Sequence, residues 1–247
     1  KSMSAWTMAK HIATGDPFVV RGSKVPVEKG TVLLLNGDQP LSQLKEQLEE
    51  VNLPVNSNVK IQTDWQLQRY AQFIKLMQEH TPKLVVIDSL IGCSGGRAFD
   101  ENKSDFAQPL YWLTRNNGVL FPKTTILIIH HANKNGGFRG TSAIRDAVDE
   151  TWKLSKPTQE QVNKVGRSSR FITIEKSRSG RMGTQMVMKM NDDLTFSIAD
   201  YTPEVSSDSE SPTTVQDKVL QKLRKIHPET YTINQMIHDP MVDGKDA

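Results

Sequence analysis

Short apolar runs alternate with amphipathic segments over the first half of the chain. Three runs, at residues 31–35, 84–87 and 124–129, have the length and composition of strands that are buried on both faces. Apolar positions recur at helical spacing around them, which predicts helices over residues 2–13, 41–51, 66–80 and 106–116. Strands that alternate with helices imply a parallel sheet with right-handed crossovers.

The pattern changes after residue 140. A short helix is predicted over residues 142–148, and strands follow one another at 150–154, 170–176, 186–190 and 194–198. The last two form a hairpin, so we expect an antiparallel extension at one edge of the sheet. The predicted fold class is α/β, a mostly parallel twisted sheet flanked by helices with an antiparallel edge hairpin, and we assign residues 1–202 to this domain.

The C-terminal part of the chain has a different character. Residues 203–212 (PEVSSDSESP) are acidic, rich in serine and without apolar periodicity, which predicts a linker. Residues 213–226 form an amphipathic helical pattern, and with residues 231–236 they indicate the start of a small helix-turn-helix or winged-helix module over 213–247. Such a module either binds DNA or a partner, or packs on the domain before it.

The composition of the chain is that of a globular protein and excludes several other classes. Hydrophobic residues make up 36% and charged residues 24% of the chain, a balance typical of a globular protein. The single cysteine, Cys93, excludes an internal disulfide and a thiolate metal cluster, and together with the absence of a signal peptide or a membrane-spanning run it predicts a cytoplasmic protein. The net charge of +3 permits nucleic-acid binding without requiring it.

The chain opens with Lys1-Ser2 at the head of the first predicted helix. In the phosphate-binding pattern G-x-x-x-x-G-K-[ST], the helix N-terminus and its lysine bind phosphate and the hydroxyl binds Mg²⁺. Lys-Ser is also a common dipeptide, so chance is the alternative. The glycines are not part of this sequence, and we expect Lys1 not to be a biological terminus.

Two carboxylates follow predicted strands. Asp88 ends the strand at 84–87, where a carboxylate orders Mg²⁺ beside bound phosphates; the alternative is that it caps the following loop. Asp38 comes three residues after the strand at 31–35 and is placed to polarise an attacking water. The alternative for Asp38 is turn chemistry, since Asn36-Gly37-Asp38 is a strong turn sequence.

The strand at 124–129 ends at His130-His131. One of these imidazoles is either a hydrogen-bonded core group or a sensor of the terminal phosphate. A zinc pair is disfavoured, because adjacent residues on a strand point to opposite faces.

Cations gather at two places. Lys176 and Arg178, one residue apart, would project to the same side of an extended chain and reach a phosphate on a neighbouring subunit, unless they are a solvated turn. Lys134 and Arg139 lie in a glycine-containing segment suited to contact a phosphodiester backbone, unless it is merely an exposed loop.

The order of these signals resembles that of the RecA-like hexameric helicases, a group that includes DnaB-type helicases, phage primase–helicases and plasmid RepA-type helicases. The resemblance covers residues 1–198. Its more specific parts are His131-Ala-Asn-Lys134 with Arg139-Gly-Thr-Ser-Ala-Ile144, and Lys176-Ser-Arg178 before a glycine turn.

The resemblance implies a RecA-like P-loop NTPase core that uses ATP or another NTP with Mg²⁺. Lys1 and Ser2 would be the Walker A pair, and Asp88 would be the Walker B residue that shares Mg²⁺ with Ser2. Asp38 occupies the position of the catalytic acid, which is normally glutamate in the family, so its side chain is one methylene shorter. His131 would be the phosphate sensor, with His130 as the competitor for that role.

The resemblance also implies partners. Lys176 and Arg178 would complete the site of the next subunit in a homo-oligomeric ring, expected to be a hexamer. Lys134 and Arg139 would face single-stranded DNA in the central channel, and a primase or a replication initiator would be a further partner. The expected function is a ring helicase in plasmid, phage or mobile-element replication. The alternatives are a RecA-like ATPase of recombination or signalling that does not unwind DNA, and a degenerate ATPase that serves as a DNA-binding scaffold.

Overall fold

The computed structural model describes residues 1–53, 58–96, 100–191 and 196–201. They belong to one compact unit, Lys1–Tyr201. The predicted linker at 203–212 and the predicted module at 213–247 lie outside the described residues.

Strands and helices alternate in the first half of this unit, and strands dominate the second. The strands are β1 Phe18–Val20, β2 Ser23–Val25, β3 Val32–Asn36, β4 Val59–Gln62, β5 Leu84–Asp88, β6 Thr125–Ile129, β7 Glu150–Ser155, β8 Arg170–Ser177, β9 Gln185–Met190 and β10 Phe196–Asp200. The helices are α1 Ser2–Thr14, α2 Leu41–Glu50, α3 Tyr70–His80, α4 Gln108–Asn116, α5 Ala143–Asp146 and α6 Gln159–Val165.

An all-parallel sheet in the order β4-β3-β5-β6 forms the centre of the unit. Every residue of β3 and β5 is buried, as their apolar runs predict. The register places Asn36 opposite Asp88, and Asp88 opposite Ile129. The carboxyl ends of β3, β5 and β6 therefore meet at one edge of the sheet.

Helices cover both faces of the parallel sheet, which confirms the predicted α/β class. Alternate residues of each strand point to opposite faces. On one face, β3 and β5 pack against α3 and α4 through Leu33, Leu35, Val85, Ile87, Phe73, Met77, Leu110 and Leu113. On the other, they pack against α1 and α2 through Val32, Leu34, Leu84, Val86, Ala5, Trp6, Ala9, Leu44 and Leu48.

The remaining strands form a second sheet in the order β2-β1-β10-β9-β8-β7. All its pairs are antiparallel except β1 with β10. The antiparallel extension is thus larger than the edge hairpin expected from the sequence, and it is a hydrogen-bonded sheet of its own. The strands β1 and β2 escaped prediction because they are short and only partly buried or exposed.

A groove of about 420 Å³ lies between the two sheets. Within the described residues, β6 pairs only with β5 and β7 only with β8, and the free edges of both strands line this groove. Its lining is mostly apolar and includes Leu127, Ile128, Leu154, Ile172 and Met188. Lys1, His130 and His131 add polar groups to the lining. No helix in the described part of the chain is long and apolar enough to cross a bilayer.

Candidate active site

The N-terminus of α1 lies against the carboxyl edge of the parallel sheet. The Ser2 side chain forms a hydrogen bond with the Asp88 carboxyl group at the end of β5. The ammonium group of Lys1 donates to the backbone carbonyl of His130, directly after β6. The structure therefore brings together Lys1, Ser2 and Asp88, which the sequence assigned to a phosphate and Mg²⁺ site.

Asp88 is buried, with a relative exposure of 7%. Burial raises the pKa of its carboxyl group, and the charge of Asp38 raises it further, whereas the hydrogen bond with Ser2 and the neighbouring His131 act in the opposite direction. A cation close to this carboxylate would favour its ionised form.

The oxygen atoms at this edge fit Mg²⁺. Asp88 Oδ1 is buried and has no hydrogen-bond partner among the described residues. The Ser2 hydroxyl forms its hydrogen bond with the same carboxyl group. The described chain has no cluster of three or more acidic, histidine or cysteine side chains that would hold a metal by itself. A site with so few protein ligands suits Mg²⁺, which usually binds one or two protein oxygens and completes its coordination shell with phosphate oxygens and water.

Asp38 reaches the same edge from the loop that follows β3. Its Oδ1 accepts a hydrogen bond of 2.9 Å from the Ser89 hydroxyl, and its Oδ2 lies 3.5 Å from His131 Nε2. The loop also has the turn chemistry expected from its sequence, since Asn36 Nδ2 donates to the Gln39 carbonyl at 2.6 Å. The turn and the site are therefore compatible, because the turn places the carboxylate.

Two glycines let the Asp38 loop approach the loop after β5. A Cβ atom on Gly37 would lie 2.5 Å from the Gly92 carbonyl carbon, and one on Gly92 would lie 2.6 Å from the Gly37 oxygen. The Gly37 amide donates to the Asp88 carbonyl at 2.8 Å. Any side chain at these two positions would push the two loops apart.

The adjacent histidines have different environments, as their positions on a strand end predict. His131 is exposed and faces Asp38. His130 Nε2 donates to the Arg139 carbonyl at 2.7 Å, so the proton of a neutral ring lies on Nε2. Burial lowers the pKa of His130, although the Arg139 carbonyl and the charge of Glu101 raise it.

The side chain of Asn133 holds the loop at 131–140 together through hydrogen bonds to its backbone. The Asn133 side chain accepts from the amides of Asn135 and Gly137 at 3.0 and 2.8 Å, and donates to the Phe138 carbonyl at 3.1 Å. Lys134 is exposed at the surface of this loop.

Arg139 is in a different situation from Lys134. Its guanidinium pairs with Glu101, whose side chain is only 12% exposed. The Glu101 carbonyl also accepts from the Thr141 amide at 2.8 Å. Within this chain, Arg139 therefore anchors the loop.

Lys176 and Arg178 both reach the end of α5 and the residues directly after it. Lys176 Nζ donates to the carbonyls of Arg145, Asp146 and Val148 at 2.6, 3.1 and 2.7 Å. Arg178 pairs with Asp149 at 2.7 Å, and its side chain stays 57% exposed. Burial lowers the pKa of Lys176, and the nearby Arg178 lowers it further.

Glu150 organises the turn beyond Arg178. It accepts hydrogen bonds from Ser177, Ser179, Arg181 and Trp152 at 2.7–3.0 Å. Burial raises the pKa of its carboxyl group, but these four donors outweigh burial and hold the pKa at about 2.

Two residues of this region were not predicted from the sequence. Ser89, which is fully buried, joins Asp38 to the β5 loop, and its position directly after Asp88 was the only available signal. Glu101 anchors Arg139, and two residues 38 positions apart leave no pattern in the sequence.

Comparison with known proteins agrees with this geometry. A family model described as an AAA domain matches residues 1–137. No curated protein matches the chain. The model covers 137 of 247 residues, more than half of the chain. The protein therefore belongs to the AAA domain family, whose members are ATPases of the P-loop type.

Proposed function

We propose that this chain is the motor domain of a ring-forming helicase. It hydrolyses ATP with Mg²⁺ and moves along single-stranded DNA in the replication of a plasmid, phage or mobile element. One observation carries the proposal: Lys1, Ser2, Asp88, Asp38 and His131 converge at the carboxyl edge of a parallel sheet. Ligands bind at this edge in open α/β sheets.

Each residue of the group has a role in phosphoryl transfer. Lys1 binds the outer phosphates, and Ser2 and Asp88 hold Mg²⁺, which neutralises charge on the transferred group. Asp38 orients the attacking water and accepts its proton, because it is the exposed carboxylate beside Asp88.

His131 is the better candidate for the phosphate sensor. Its ring is exposed and lies next to Asp38, so one imidazole would contact both the terminal phosphate and the acid. The His130 ring already uses Nε2 for the Arg139 carbonyl and packs on Phe138 at 5.3 Å. His130 then holds the loop at 131–140.

Arg178 is the better candidate for the cation supplied to the next subunit of a hexameric ring. Arg178 is exposed. Its ion pair with Asp149 lies at the surface, so breaking this pair to contact a phosphate of the next subunit would cost little. Lys176 is bound to three carbonyls of its own chain. The proposed partners are single-stranded DNA, other copies of the chain, and a primase or replication initiator.

A second function is favoured by one specific contact. Arg139, assigned to DNA, is exposed but paired with Glu101, so part of the charge that the loop offers to DNA is neutralised within the chain. A loop with so little available charge suits an ATPase of the same fold that does not unwind DNA.

The test uses the natural gene product at its full length. We expect ATP hydrolysis that depends on Mg²⁺, is stimulated by single-stranded DNA and is accompanied by strand displacement on a forked duplex. Asp88→Asn should abolish hydrolysis, whereas Asp16→Asn, a change of an exposed carboxylate after α1, should not. Hydrolysis without strand displacement would select the second function. No hydrolysis in the wild type would refute both.

A further inference from the structure

We infer that Ser89 is a positioning residue that fixes the carboxylate of Asp38 for catalysis. The inference rests on the proposed function, in which Asp38 is the base. Ser89 has a relative exposure of 0%, and its hydroxyl lies 2.9 Å from Asp38 Oδ1. It is the residue directly after Asp88, so the same strand end supplies the Mg²⁺ ligand and the group that holds the base.

The direction of this hydrogen bond is determined by its partners. An ionised carboxylate only accepts, so the Ser89 hydroxyl donates its proton to Asp38. The Gly92 amide in turn donates to the Ser89 oxygen at 3.2 Å. The hydroxyl therefore has a single orientation, fixed by the backbone on one side and by Asp38 on the other.

Asp38 needs such a partner because the rest of its surroundings leave it free to rotate. Its side chain is 42% exposed and stands on a loop. The two carboxylate oxygens have separate neighbours, with Ser89 on Oδ1 and His131 on the side of Oδ2. Together these neighbours define the plane of the carboxylate, and Ser89 is the buried and rigid one of the two.

The backbone around Ser89 keeps its hydroxyl within hydrogen-bond distance of Asp38 Oδ1. The contact between Gly37 and Gly92 holds the Asp38 loop against the loop after β5, and the Gly37 amide donates to the Asp88 carbonyl. Asn36, which is buried, closes the turn on the other side of Asp38. An aspartate that is one methylene shorter than glutamate can act as the base only if its loop stands this close to the site.

The first experiment removes the donor. Ser89→Ala should lower kcat about 10- to 100-fold, because a displacement of about 1 Å at a reacting group costs up to this much. KM and the dissociation constant of a fluorescent ATP analogue should change less than about twofold, since the Ser89 hydroxyl bonds to Asp38 and to the Gly92 amide, neither of which is assigned to phosphate binding. The matched control is Ser94→Ala in the same loop, which removes the hydroxyl of a residue that is 2% exposed; this hydroxyl donates to the Ile91 carbonyl and not to Asp38. The control should keep its kcat.

The second experiment asks whether Ser89 acts through Asp38. Asp38→Asn should lower kcat strongly, and adding Ser89→Ala to it should cause no further loss, because residues that act through one another are not additive. The melting temperature of each variant is measured. If Ser89→Ala is unfolded, Ser89→Cys takes its place, because it keeps the size with only a weak donor and should show the same loss of kcat.

The outcomes separate this inference from the proposed function. An unchanged kcat in Ser89→Ala overturns the inference alone, as does an equal loss of kcat with and without Asp38→Asn. Full hydrolysis by Asp38→Asn overturns both the role of Asp38 as the base and the inference that depends on it. Absence of hydrolysis in the wild type overturns the proposed function and the inference with it.

Discussion

The contacts of Lys176 predict that it stabilises the fold, whatever it does for a neighbouring subunit. Its ammonium group bonds to the carbonyls of Arg145 and Asp146, the last two residues of α5, and of Val148 just after it, at 2.6–3.1 Å. The last carbonyls of a helix have no partner within the helix, so the ammonium group supplies donors that they lack. Lys176→Met keeps most of the side-chain length and removes the charge and all three donors.

The magnitude follows from these contacts. Hydrogen bonds to a charged group contribute about 1.5–3 kcal/mol each when they are well buried. Here one partly buried ammonium group donates to three carbonyls, and water can hydrate these carbonyls in Lys176→Met. We therefore expect the free energy of unfolding to fall by about 2 kcal/mol in total. For a domain of this size that corresponds to a fall in melting temperature of about 4–8 °C.

The assay is thermal unfolding followed by circular dichroism, at a protein concentration too low for ring assembly. The matched variant is Arg178→Ala, which breaks an exposed ion pair with Asp149 and should cost less than about 1 kcal/mol. Arg178→Ala should instead abolish ATP hydrolysis while nucleotide binding persists, because it is the proposed trans cation. If Lys176→Met melts within about 1–2 °C of the wild type, which corresponds to less than about 1 kcal/mol for a domain of this size, Lys176 does not stabilise the end of α5 as we expect.

Three further predictions concern the same unit. Gly37→Ala should destabilise the protein and lower kcat, because its Cβ would lie 2.5 Å from the backbone of Gly92; an unchanged melting temperature and an unchanged kcat would contradict this. Cys93 is buried and its pKa is raised to about 12, so it should not react with a thiol reagent until guanidinium unfolds the chain; fast labelling of the native protein would contradict this. The depressed pKa of Glu150 means that its carboxylate stabilises the fold above pH 4.5 and loses this effect as the pH falls towards 2. In urea titrations, Glu150→Gln should be less stable than the wild type at pH 7, and the difference should disappear across that window.

The sequence predicted the parallel half of the fold well, because its signals are local. The strands β3 and β5 are apolar runs buried between helices, and α1 to α4 carry apolar stripes. The strand β6 was also predicted to be buried on both faces, which is wrong: only Ile129 is buried, because the strand lies along the groove. The strand β4 was missed because its sequence, VKIQ, mixes polar and apolar residues at the edge of the sheet. The helix α6 was missed although its capping box, Thr158 with Gln161, is a local signal that could have revealed it.

The site was predictable as a set of positions, but its contacts were not. Asp88 and Asp38 follow buried parallel strands, and the rule that such strand ends share one edge is enough to bring them together. The bond between Ser89 and Asp38 joins residues 51 positions apart, and it depends on the approach of two glycines that no pattern in one sequence reports. The same holds for Lys176: the sequence identified it as a candidate cation of the site, but it did not predict the three carbonyls to which the side chain is bonded.

The edges of β6 and β7 that have no partner strand among residues 1–201, as far as these are described, affect how the purified protein must be handled. Each edge presents a row of main-chain amides and carbonyls beside apolar side chains, and these groups are satisfied either by water or by another extended polypeptide. Edges of this kind promote intermolecular β-pairing as the concentration rises. Aggregation of concentrated samples should therefore begin at this groove.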